Sequence, residues 1–288
     1  MTHIFNAKER EKYFDNYANL FANVTCTRDD IILDLLIPIC KKNLGNNLKM
    51  IDFGCGGGNL LISLNNMGFY AYGIEKSERL YNIARERILK AGYKEEQIIK
   101  GGIEALHNFE PESIDVVMVI GVFQYLSPEE YEELLNNIHY VLKKGGYLIC
   151  SFQNALFDLF TFNKYTLDFY KEKFIRPLGV DKLLGEGVYE DLKNLITNPD
   201  KPDYSPAIAR DNIYVRTTNP LTIEKELKEK KFKLIEKYFY EFHLVPRLIE
   251  KKYEASLIPL IKEFEVKIST EWFGHFMANA FVAHCVKI

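Results

Sequence analysis

From residue 49 onward, short apolar runs alternate along the chain with stretches whose apolar residues recur at helical spacing. The short runs predict buried strands, and the periodic stretches predict helices. Because strands and helices alternate with short links, we predict a parallel sheet that is covered by helices on both faces. The predicted strands cover residues 49–53, 69–75, 97–100, 114–120 and 147–152, with helices over 59–67 and 78–91 between them.

Residues at the ends of these stretches support the helix boundaries. Gly68 and Gly92 follow the last apolar positions of two helices, and Ser77 precedes the second of them. Glycine is favoured just after a helix, and serine is favoured just before one. Residues 127–130, Ser-Pro-Glu-Glu, offer a capping box with proline at the first helical position, so a further helix is expected to begin at Pro128.

The residues before the first strand, 1–48, are predicted to form a helical extension. A second helix within it should cover residues 28–44, because Asp29 in its first turn suits the positive end of the helix dipole and Gly45 ends it. An amphipathic helix is predicted earlier, within residues 1–22, where four aromatic side chains recur at helical spacing: Tyr13, Phe14, Tyr17 and Phe21.

A long insertion follows the fifth strand. The next strand signal lies at residues 232–243, roughly 80 residues later, whereas a usual connection takes about 2 to 6 residues. The intervening segment is rich in aromatic side chains and contains the irregular, proline-bearing run 197–206. Because it leaves the sheet at the end where parallel sheets bind ligands, we predict that it caps the substrate, assisted by the N-terminal helices. The predicted units are an N-terminal extension (1–48), a core (49–152), the cap (153–220) and a C-terminal part of the core sheet (221–288).

The composition favours a small-molecule ligand. Of the 288 residues, 27% are charged and the net charge is −3, which offers no basic surface for a nucleic acid. Five cysteines are scattered without a C-x-x-C pair or a secretory leader, as expected for reduced thiols in a cytoplasmic protein. The longest apolar run, residues 31–40, contains Asp34 and Pro38 and is far shorter than the ~20 residues of a membrane helix. We expect a cytoplasmic monomer or homodimer that does not span a membrane.

The most specific chemical signal is the loop between the first strand and the next helix. It has the pattern Asp52-x-Gly54-x-Gly56-x-Gly58, followed by Asn59. Such glycines can adopt positive φ and let the backbone approach a ligand, while the next helix presents unpaired N–H groups. A dinucleotide fingerprint, G-x-G-x-x-G, would require glycine at position 59, so Asn59 disfavours a nicotinamide oxidoreductase.

Four features of the chain occur in the order found in one enzyme family. The glycine loop resembles motif I of the class I S-adenosylmethionine (SAM) dependent methyltransferases. The strand at 69–75 ends in Glu75, and residues 114–126 resemble the family's motif IV. Residues 140–149 resemble the family's helix-to-strand turn, R-V-L-K-P-G-G.

This resemblance covers residues 49–152 closely and the rest of the chain more loosely. It implies an α/β fold with a doubly wound, seven-stranded, mostly parallel Rossmann-like sheet. Residues 222–231 resemble the family's last crossover helix, and residues 279–287 resemble its final antiparallel strand.

The resemblance also implies SAM as the cofactor, with S-adenosylhomocysteine (SAH) as the product. Asp52 is expected to hold the methionine amino end, Glu75 to bind the ribose, and Ile103 or Glu104 to lie beside the adenine. Where the family often has an acidic residue for the adenine amine, this chain has Gly102. The predicted cofactor-binding residues are Asp52, Gly54, Cys55, Gly56, Gly58, Glu75, Lys76, Ile103, Glu104 and Gly121.

Candidates for the acceptor site follow from the strand ends that should form it. As general base we select His275 or His243, because both lie at strand ends on the ligand side; a packed or solvated histidine is the alternative for each. Arg210 and Arg216 could hold an anionic group of the substrate or could be surface charges. The predicted substrate-binding residues are Phe123, Gln124, Tyr125, Tyr17, Arg216 and Trp272, with aromatic packing as an alternative for those that follow the fourth strand.

The leading functional hypothesis is SAM-dependent methyl transfer to a hydroxyl of a small molecule, such as a sugar, quinol or secondary metabolite, by in-line displacement. The choice of a hydroxyl rests on resemblance to the broad group that methylates such compounds. Methylation of an amine is one alternative, and it would favour an acidic or aromatic cage near the acceptor in place of a histidine base. A non-catalytic SAM sensor or partner protein is the alternative from another class. No metal-binding pattern such as H-x-x-H occurs, so a metal-free enzyme is expected.

Overall fold

The computed structural model describes residues 7–23, 26–178, 187–196 and 215–288, and these residues form an eight-stranded sheet. Its strands are β1 (Lys49–Phe53), β2 (Tyr70–Glu75), β3 (Ile98–Lys100), β4 (Ile114–Val119), β5 (Leu142–Asn154), β6 (Thr217–Thr218), β7 (Phe232–Phe242) and β8 (Ala278–Lys287). They are ordered β3-β2-β1-β4-β5-β8-β7, and β6 pairs with the end of β5. Among these strands, β8 runs antiparallel to both of its neighbours. The predicted seven-stranded, mostly parallel sheet is confirmed, and β6 is an additional short strand.

Helices cover both faces of the sheet and precede it. They are α1 (Ala7–Asn16), α2 (Ala18–Phe21), α3 (Thr27–Asp30), α4 (Ile37–Leu44), α5 (Asn59–Asn66), α6 (Glu78–Lys90), α7 (Pro128–Val141), α8 (Lys164–Tyr170), α9 (Arg176–Leu178), α10 (Gly187–Leu195), α11 (Ile223–Glu229), α12 (Arg247–Ile268) and α13 (Gly274–Met277). A π-helical segment, Ile31–Leu36, joins α3 to α4, so the helix predicted over 28–44 is continuous. A second one, Lys171–Ile175, joins α8 to α9. None of the described helices is long and apolar enough to cross a lipid bilayer.

Two elements differ from the sequence prediction. The 22-residue helix α12 was not predicted, because Leu257, Ile258, Leu260 and Ile261 are nearly consecutive around Pro259 and hide the helical period. Strand β5 begins at Leu142, five residues before the predicted start at residue 147. Leu142 pairs with Ile114 before a shift in register, so the Gly145-Gly146 turn lies inside the strand and does not precede it.

The core consists of one apolar layer on each face of the sheet. Neighbouring residues of a strand point to opposite faces. In β1, Ile51 packs in the layer that contains α7 and α11, whereas Met50 packs in the layer that contains α4, α5 and α6. Burial on both faces explains why the central strands read as continuous apolar runs.

The N-terminal helices are anchored at the starts of two core helices. Ser127 and Glu130 form the predicted capping box of α7, with Ser127 Oγ accepting from Glu130 N at 3.2 Å. Arg10 of α1 forms an ion pair with the same Glu130 at 2.5 Å. Ser77 caps α6, and its hydroxyl donates to Asp15 of α1 at 2.5 Å. Helix α1 therefore lies across the edge of the sheet where the parallel strands end.

Candidate active site

A pocket of about 520 Å³ opens at the carboxyl ends of the parallel strands. Part of its lining comes from the loops after β1, β2, β3 and β4. A second part comes from the N-terminal helices, and a third from the last residues of β7. Ligands of open parallel sheets bind at this edge, so the pocket lies where the topology predicts.

The loop after β1 needs glycine for two physical reasons. Gly54, Gly56 and Gly58 have φ of 74°, 55° and 80°, a region that side chains disfavour. A Cβ on Gly54 would also lie 2.4 Å from a methyl carbon of Val122, in the loop after β4. At Gly56 a Cβ would meet nothing within 4 Å, because this residue faces the open pocket. The loop therefore brings bare backbone to the ligand side.

Glu75 ends β2 as a buried carboxylate on the pocket wall. It accepts hydrogen bonds from Gly56 N at 2.9 Å and from Ser77 N at 2.7 Å. Burial raises the pKa of Glu75, while these backbone donors favour its charged form. A carboxylate has about four acceptor positions, so it retains capacity for hydroxyl donors of a ligand.

A charged cluster lies on the other side of the glycine loop. Arg28 of α3 donates to the Asp29 carboxylate at 2.9 Å, and both residues line the pocket beside the buried Asp52. Burial raises the pKa of Asp52 to about 7; the Asp29 carboxylate adds to this rise, and the Arg28 guanidinium opposes it. Arg28 was not predicted as a site residue, and Asp29 was predicted only as a residue that suits the helix dipole.

Most of the predicted cofactor-binding residues meet at this pocket. They are Asp52, Gly54, Cys55, Gly56, Glu75, Lys76, Ile103, Glu104 and Gly121. The exception is Gly58, whose missing Cβ would lie 3.3 Å from Ala84 of α6, so it serves close packing of the loop. Glu104 folds back and accepts from Gly102 N at 2.7 Å, a hydrogen bond that lowers the pKa of Glu104.

The predicted substrate-binding residues divide into two groups. Gln124 and Tyr125 line the pocket. Phe123 is buried against Tyr131 and Phe152 in the core, and so takes the packing alternative.

The other three members of that set also lie outside the pocket lining. Tyr17 packs against Tyr13 with tilted rings, and Trp272 is 71% exposed. Arg216 pairs with Glu226 at 2.6 Å and lies over the ring of Tyr131, which is a structural role. Arg210 lies outside the described residues.

Neither candidate histidine lies at the pocket. His275 packs against Phe239 with ring centroids 4.6 Å apart, and its Nδ1 lies 2.9 Å from the carbonyl oxygen of Trp272. Phe239 and Tyr240 belong to opposite core layers, and of these two only Tyr240 lines the pocket. His243 stacks on Phe157, also away from the pocket lining. The fold therefore does not bring either predicted histidine to the pocket lining.

The described segments that close the pocket include the N-terminal helices that were predicted to assist the cap. Of the described residues in the predicted cap, 153–220, Gln153 lines the pocket. The N-terminal helices contribute more of the wall, including Arg10, Phe14 and Phe21, and β7 contributes Tyr240 and Glu241. Sequence could not assign the β7 pair, because nothing near residue 240 signals a ligand site.

Sequence comparison identifies what this framework is similar to. Residues 51–150 match a family described as a methyltransferase domain. Over 150 residues the chain is 31% identical to uncharacterized methyltransferases of Bacillus mycoides (strain KBAB4) and Bacillus cereus. Each match covers 51% of this chain and 65% of the relative, which is less than two thirds of the relative's length.

Two solved structures share the fold over almost the whole chain. A SAM-dependent methyltransferase from Archaeoglobus fulgidus has a TM-score of 0.53 at 15% identity, with 96% of this chain and 100% of that chain covered. Magnesium protoporphyrin IX methyltransferase from Synechocystis PCC 6803, solved with bound SAH, has a TM-score of 0.54 at 14% identity, with 98% and 99% covered. The sequence matches show that residues 51–150 are similar to a methyltransferase domain, and the structural likeness shows that the chain has the fold of these two methyltransferases.

Proposed function

We propose that the protein binds SAM in this pocket and transfers its methyl group to a small-molecule acceptor. The observation that carries the proposal is the arrangement of charge along one wall. The buried Asp52 lies at one end beside the partly exposed Arg28, the buried Glu75 lies at the other, and the open glycine loop runs between them. These groups complement an amino acid at one end of a ligand and a ribose at the other.

The donor set fits SAM group by group. Asp52 and the carbonyl of Gly121 would accept from the methionine ammonium, and the Arg28 guanidinium would hold the methionine carboxylate. Glu75 would accept from the ribose hydroxyls. Ile103 offers an apolar contact for the adenine. When bound, SAM supplies an electrophilic methyl group on a positively charged sulfur.

The contribution of the chain is alignment and exclusion of water, which in-line displacement requires. Phe14 and Phe21 of the N-terminal helices line the pocket, with ring centroids 5.1 Å apart. Phe14 also packs edge-to-face on Tyr125, at 5.1 Å. This aromatic wall would keep the methyl donor out of bulk water.

Size and charge support a small acceptor over a nucleic acid. The pocket volume of about 520 Å³ falls within the range of small-molecule sites, about 300 to 1,000 Å³. Three cationic residues line it, Arg10, Arg28 and Lys76. Eight carboxylates outnumber them, so the wall would repel phosphates; they are Glu11, Asp29, Asp52, Glu75, Glu104, Glu130, Glu133 and Glu241.

The type of acceptor atom is a finer proposal. A hydroxyl acceptor, which the family resemblance favoured, needs a group that takes its proton. Among the described lining residues there is no histidine for this task, and carboxylates are the basic groups at hand. This lining is closer to the acidic and aromatic cage expected for an amine.

Calorimetric titration with SAM, SAH and NADH tests the proposed function. We expect SAM and SAH to bind and NADH not to bind. Glu75→Gln should weaken SAM binding by at least about tenfold, because the charged hydrogen-bond acceptor is lost. Glu86→Gln, on the exposed face of α6, is the matched control and should leave affinity unchanged. Binding of NADH but not SAM would overturn the proposal.

A second measurement separates transfer from mere binding. SAH formation is followed with labelled SAM and pools of small amines and alcohols. Acceptor-dependent SAH formation supports methyl transfer. SAM binding without transfer to any acceptor would favour a non-catalytic SAM-binding protein.

A further inference from the structure

The pocket has a wall that the cofactor groups do not use. We call it the acceptor half and define it by five lining residues. They are Gln124 and Tyr125 from the loop after β4, Gln153 from the end of β5, and Tyr240 and Glu241 from the end of β7. In the strand order, β5 and β7 lie on the far side of β4 from β1 and β2. This half therefore faces the cofactor residues across the pocket.

Glu241 has an unusual backbone conformation within β7. Its φ is 56°, although it is not glycine and lies inside a strand. Regular alternation would place Tyr240 and Phe242 on the same face. Instead Tyr240 packs in one core layer, and Phe242 packs in the other layer with Phe239. The turn at Glu241 thus re-aims the strand end and leaves this side chain on the pocket wall.

The Glu241 carboxylate is held in place by neutral donors. Asn279 Nδ2 donates to Oε2 at 2.7 Å, and Cys26 Sγ lies 3.6 Å from Oε1. Within the part of the chain that the structure describes, no lysine or arginine is paired with this carboxylate. Glu241 is exposed at the strand end and its carboxylate has no direct ion-pair partner among the described residues, so acceptor positions remain on both oxygens.

Gln124 supplies an independent sign of a ligand. Its side chain is only 8% exposed and lines the same pocket, yet Oε1 has no hydrogen-bond partner among the described residues. A buried acceptor without a donor is costly, so such an atom is expected to be satisfied by something that enters the pocket. The missing partner must be a hydrogen-bond donor.

Two aromatic rings complete this wall. Tyr125 and Tyr240 both line the pocket. Burial raises the pKa of both hydroxyls; the hydrogen bond from Gln124 to Tyr125 and the Arg28 guanidinium near Tyr240 oppose this rise, and the Glu241 carboxylate adds to it, so neither is a ready base. Their ring faces are favourable surfaces for a cation. Among the described residues, the acceptor half thus combines a carboxylate without an ion-pair partner, an unsatisfied amide oxygen and aromatic rings.

We propose that the methyl acceptor is an amine, which enters as its ammonium form, places its charge at Glu241 and donates an N–H to Gln124 Oε1. This inference rests on the proposed methyl transfer and names its substrate class. A neutral alcohol could donate to Gln124, but only an ammonium also makes a hydrogen bond with the Glu241 carboxylate in which both partners are charged. Glu241 is therefore the residue that distinguishes the two acceptor types.

The same carboxylate accounts for the proton. One ammonium proton passes to Glu241, and the neutral nitrogen regains its lone pair. That lone pair forms the new N–C bond to the methyl carbon, while the C–S bond breaks and its electron pair stays on sulfur. The product is the N-methylated ammonium ion, and Glu241 returns its proton to solvent.

Binding of matched amine and alcohol probes tests the inference without turnover. The probes are 2-phenylethylamine with 2-phenylethanol and butylamine with butanol, titrated at pH 7.5 into protein saturated with SAH. We expect the amine of at least one pair to bind at least about tenfold more tightly than its alcohol, as for a charge-assisted contact. Glu241→Gln should remove this preference, and Gln124→Met should weaken the amine several-fold.

Glu236→Gln is the matched control, because Glu236 is an exposed carboxylate of the same strand outside the pocket lining. It should leave amine binding unchanged. An SAH affinity equal to that of the unmodified protein would show that the fold and the cofactor residues of a variant are intact. Equal binding of alcohols and amines, an amine affinity that Glu241→Gln does not change, or no binding of any amine would overturn the inference. If SAH itself does not bind to the unmodified protein, the proposed function fails instead.

Discussion

The two halves of the pocket are built in different ways. The half that we propose binds the cofactor, the cofactor half, takes most of its residues from three successive loops between Asp52 and Glu104, each directly after a parallel strand; Arg28 joins it from α3. The remaining walls combine the helix that carries Arg10 with a strand end at Glu241, more than two hundred positions further along the chain. The first half follows from local sequence and strand order, whereas the second exists only after remote segments have docked.

A small hydrogen-bond cluster joins the N-terminal segment to the glycine loop. Arg87 of α6 donates to the carbonyl of Ala22 at 2.7 Å and to Asn59 Oδ1 at 3.0 Å. Asn59 Nδ2 donates to the same carbonyl at 3.1 Å. A Cβ on Gly57 would lie 2.8 Å from the Cα of Ala22, so the two backbones touch. The residue that breaks the dinucleotide pattern, Asn59, therefore has a structural role in this contact.

Gly54→Ala should damage the cofactor half most. Its new methyl group would lie 2.4 Å from Val122 at a φ of 74°, so the loop must move away from its position. We expect SAM affinity to fall about 100-fold and the free energy of unfolding to fall by about 2 kcal/mol. Calorimetry and urea denaturation measure the two effects.

Gly68→Ala is its control, because Gly68 has a φ of 86° but open space around it and lies outside the pocket lining. It should cost about 1 kcal/mol of stability through the backbone alone and should leave SAM binding unchanged. If Gly54→Ala also leaves SAM binding within threefold of normal, the close approach of this loop has no role in the cofactor site.

The pH dependence of SAM binding should report Asp52. Its pKa is about 7 in the free protein because it is buried, and a bound ammonium would favour the charged form and lower this pKa. Binding would then release a proton, so SAM affinity should fall as the pH drops below 7, by up to about tenfold per pH unit. Asp52→Asn should weaken binding about tenfold at pH 8 and abolish this slope. Calorimetry between pH 5.5 and 8.5 measures both; an unchanged slope in the variant would assign it to another group.

Arg87→Ala tests the link between the two regions. Loss of its hydrogen bonds to Ala22 and Asn59 should lower the free energy of unfolding by about 1 to 2 kcal/mol. Trypsin should then cut the N-terminal helices faster, and SAM affinity should fall only several-fold. Arg85 lies on the same helix as Arg87 and forms an exposed ion pair with Glu95, so Arg85→Ala should change stability and protease resistance little. Equal protease resistance of both variants would contradict the role of Arg87.

Glu241→Gly should have the smallest effect on stability. Glycine relieves the strained φ of 56° but is more flexible when unfolded, so we expect a change within about 1 kcal/mol. SAM affinity should be unchanged, whereas the preference for amines over alcohols should be lost. Lys231→Gly, at a φ of 61° outside the pocket lining, should show a similar stability change and no binding effect. A large loss of SAM affinity would place Glu241 in the cofactor half instead.

The sequence predicted the central elements closely because their signals are local. The strand ending in Phe53, the Ser127 capping box and the carboxylate at Glu75 all occur where their short patterns place them. Errors arose where contacts are remote. His275 has a ligand-side position in the topology, but its ring packs against Phe239. That contact depends on how α13 packs against the sheet.

By itself, the sequence determined the sheet and the glycine loop, because each depends on backbone preferences and polarity within a few consecutive residues. Only the tertiary structure decided which side chains of the remote segments close the pocket. The N-terminal helices take this place by docking Arg10 on Glu130 and Asp15 on Ser77. The turn at Glu241 is equally invisible in sequence, since a positive φ at glutamate is imposed by the surrounding strands and not by the residue itself.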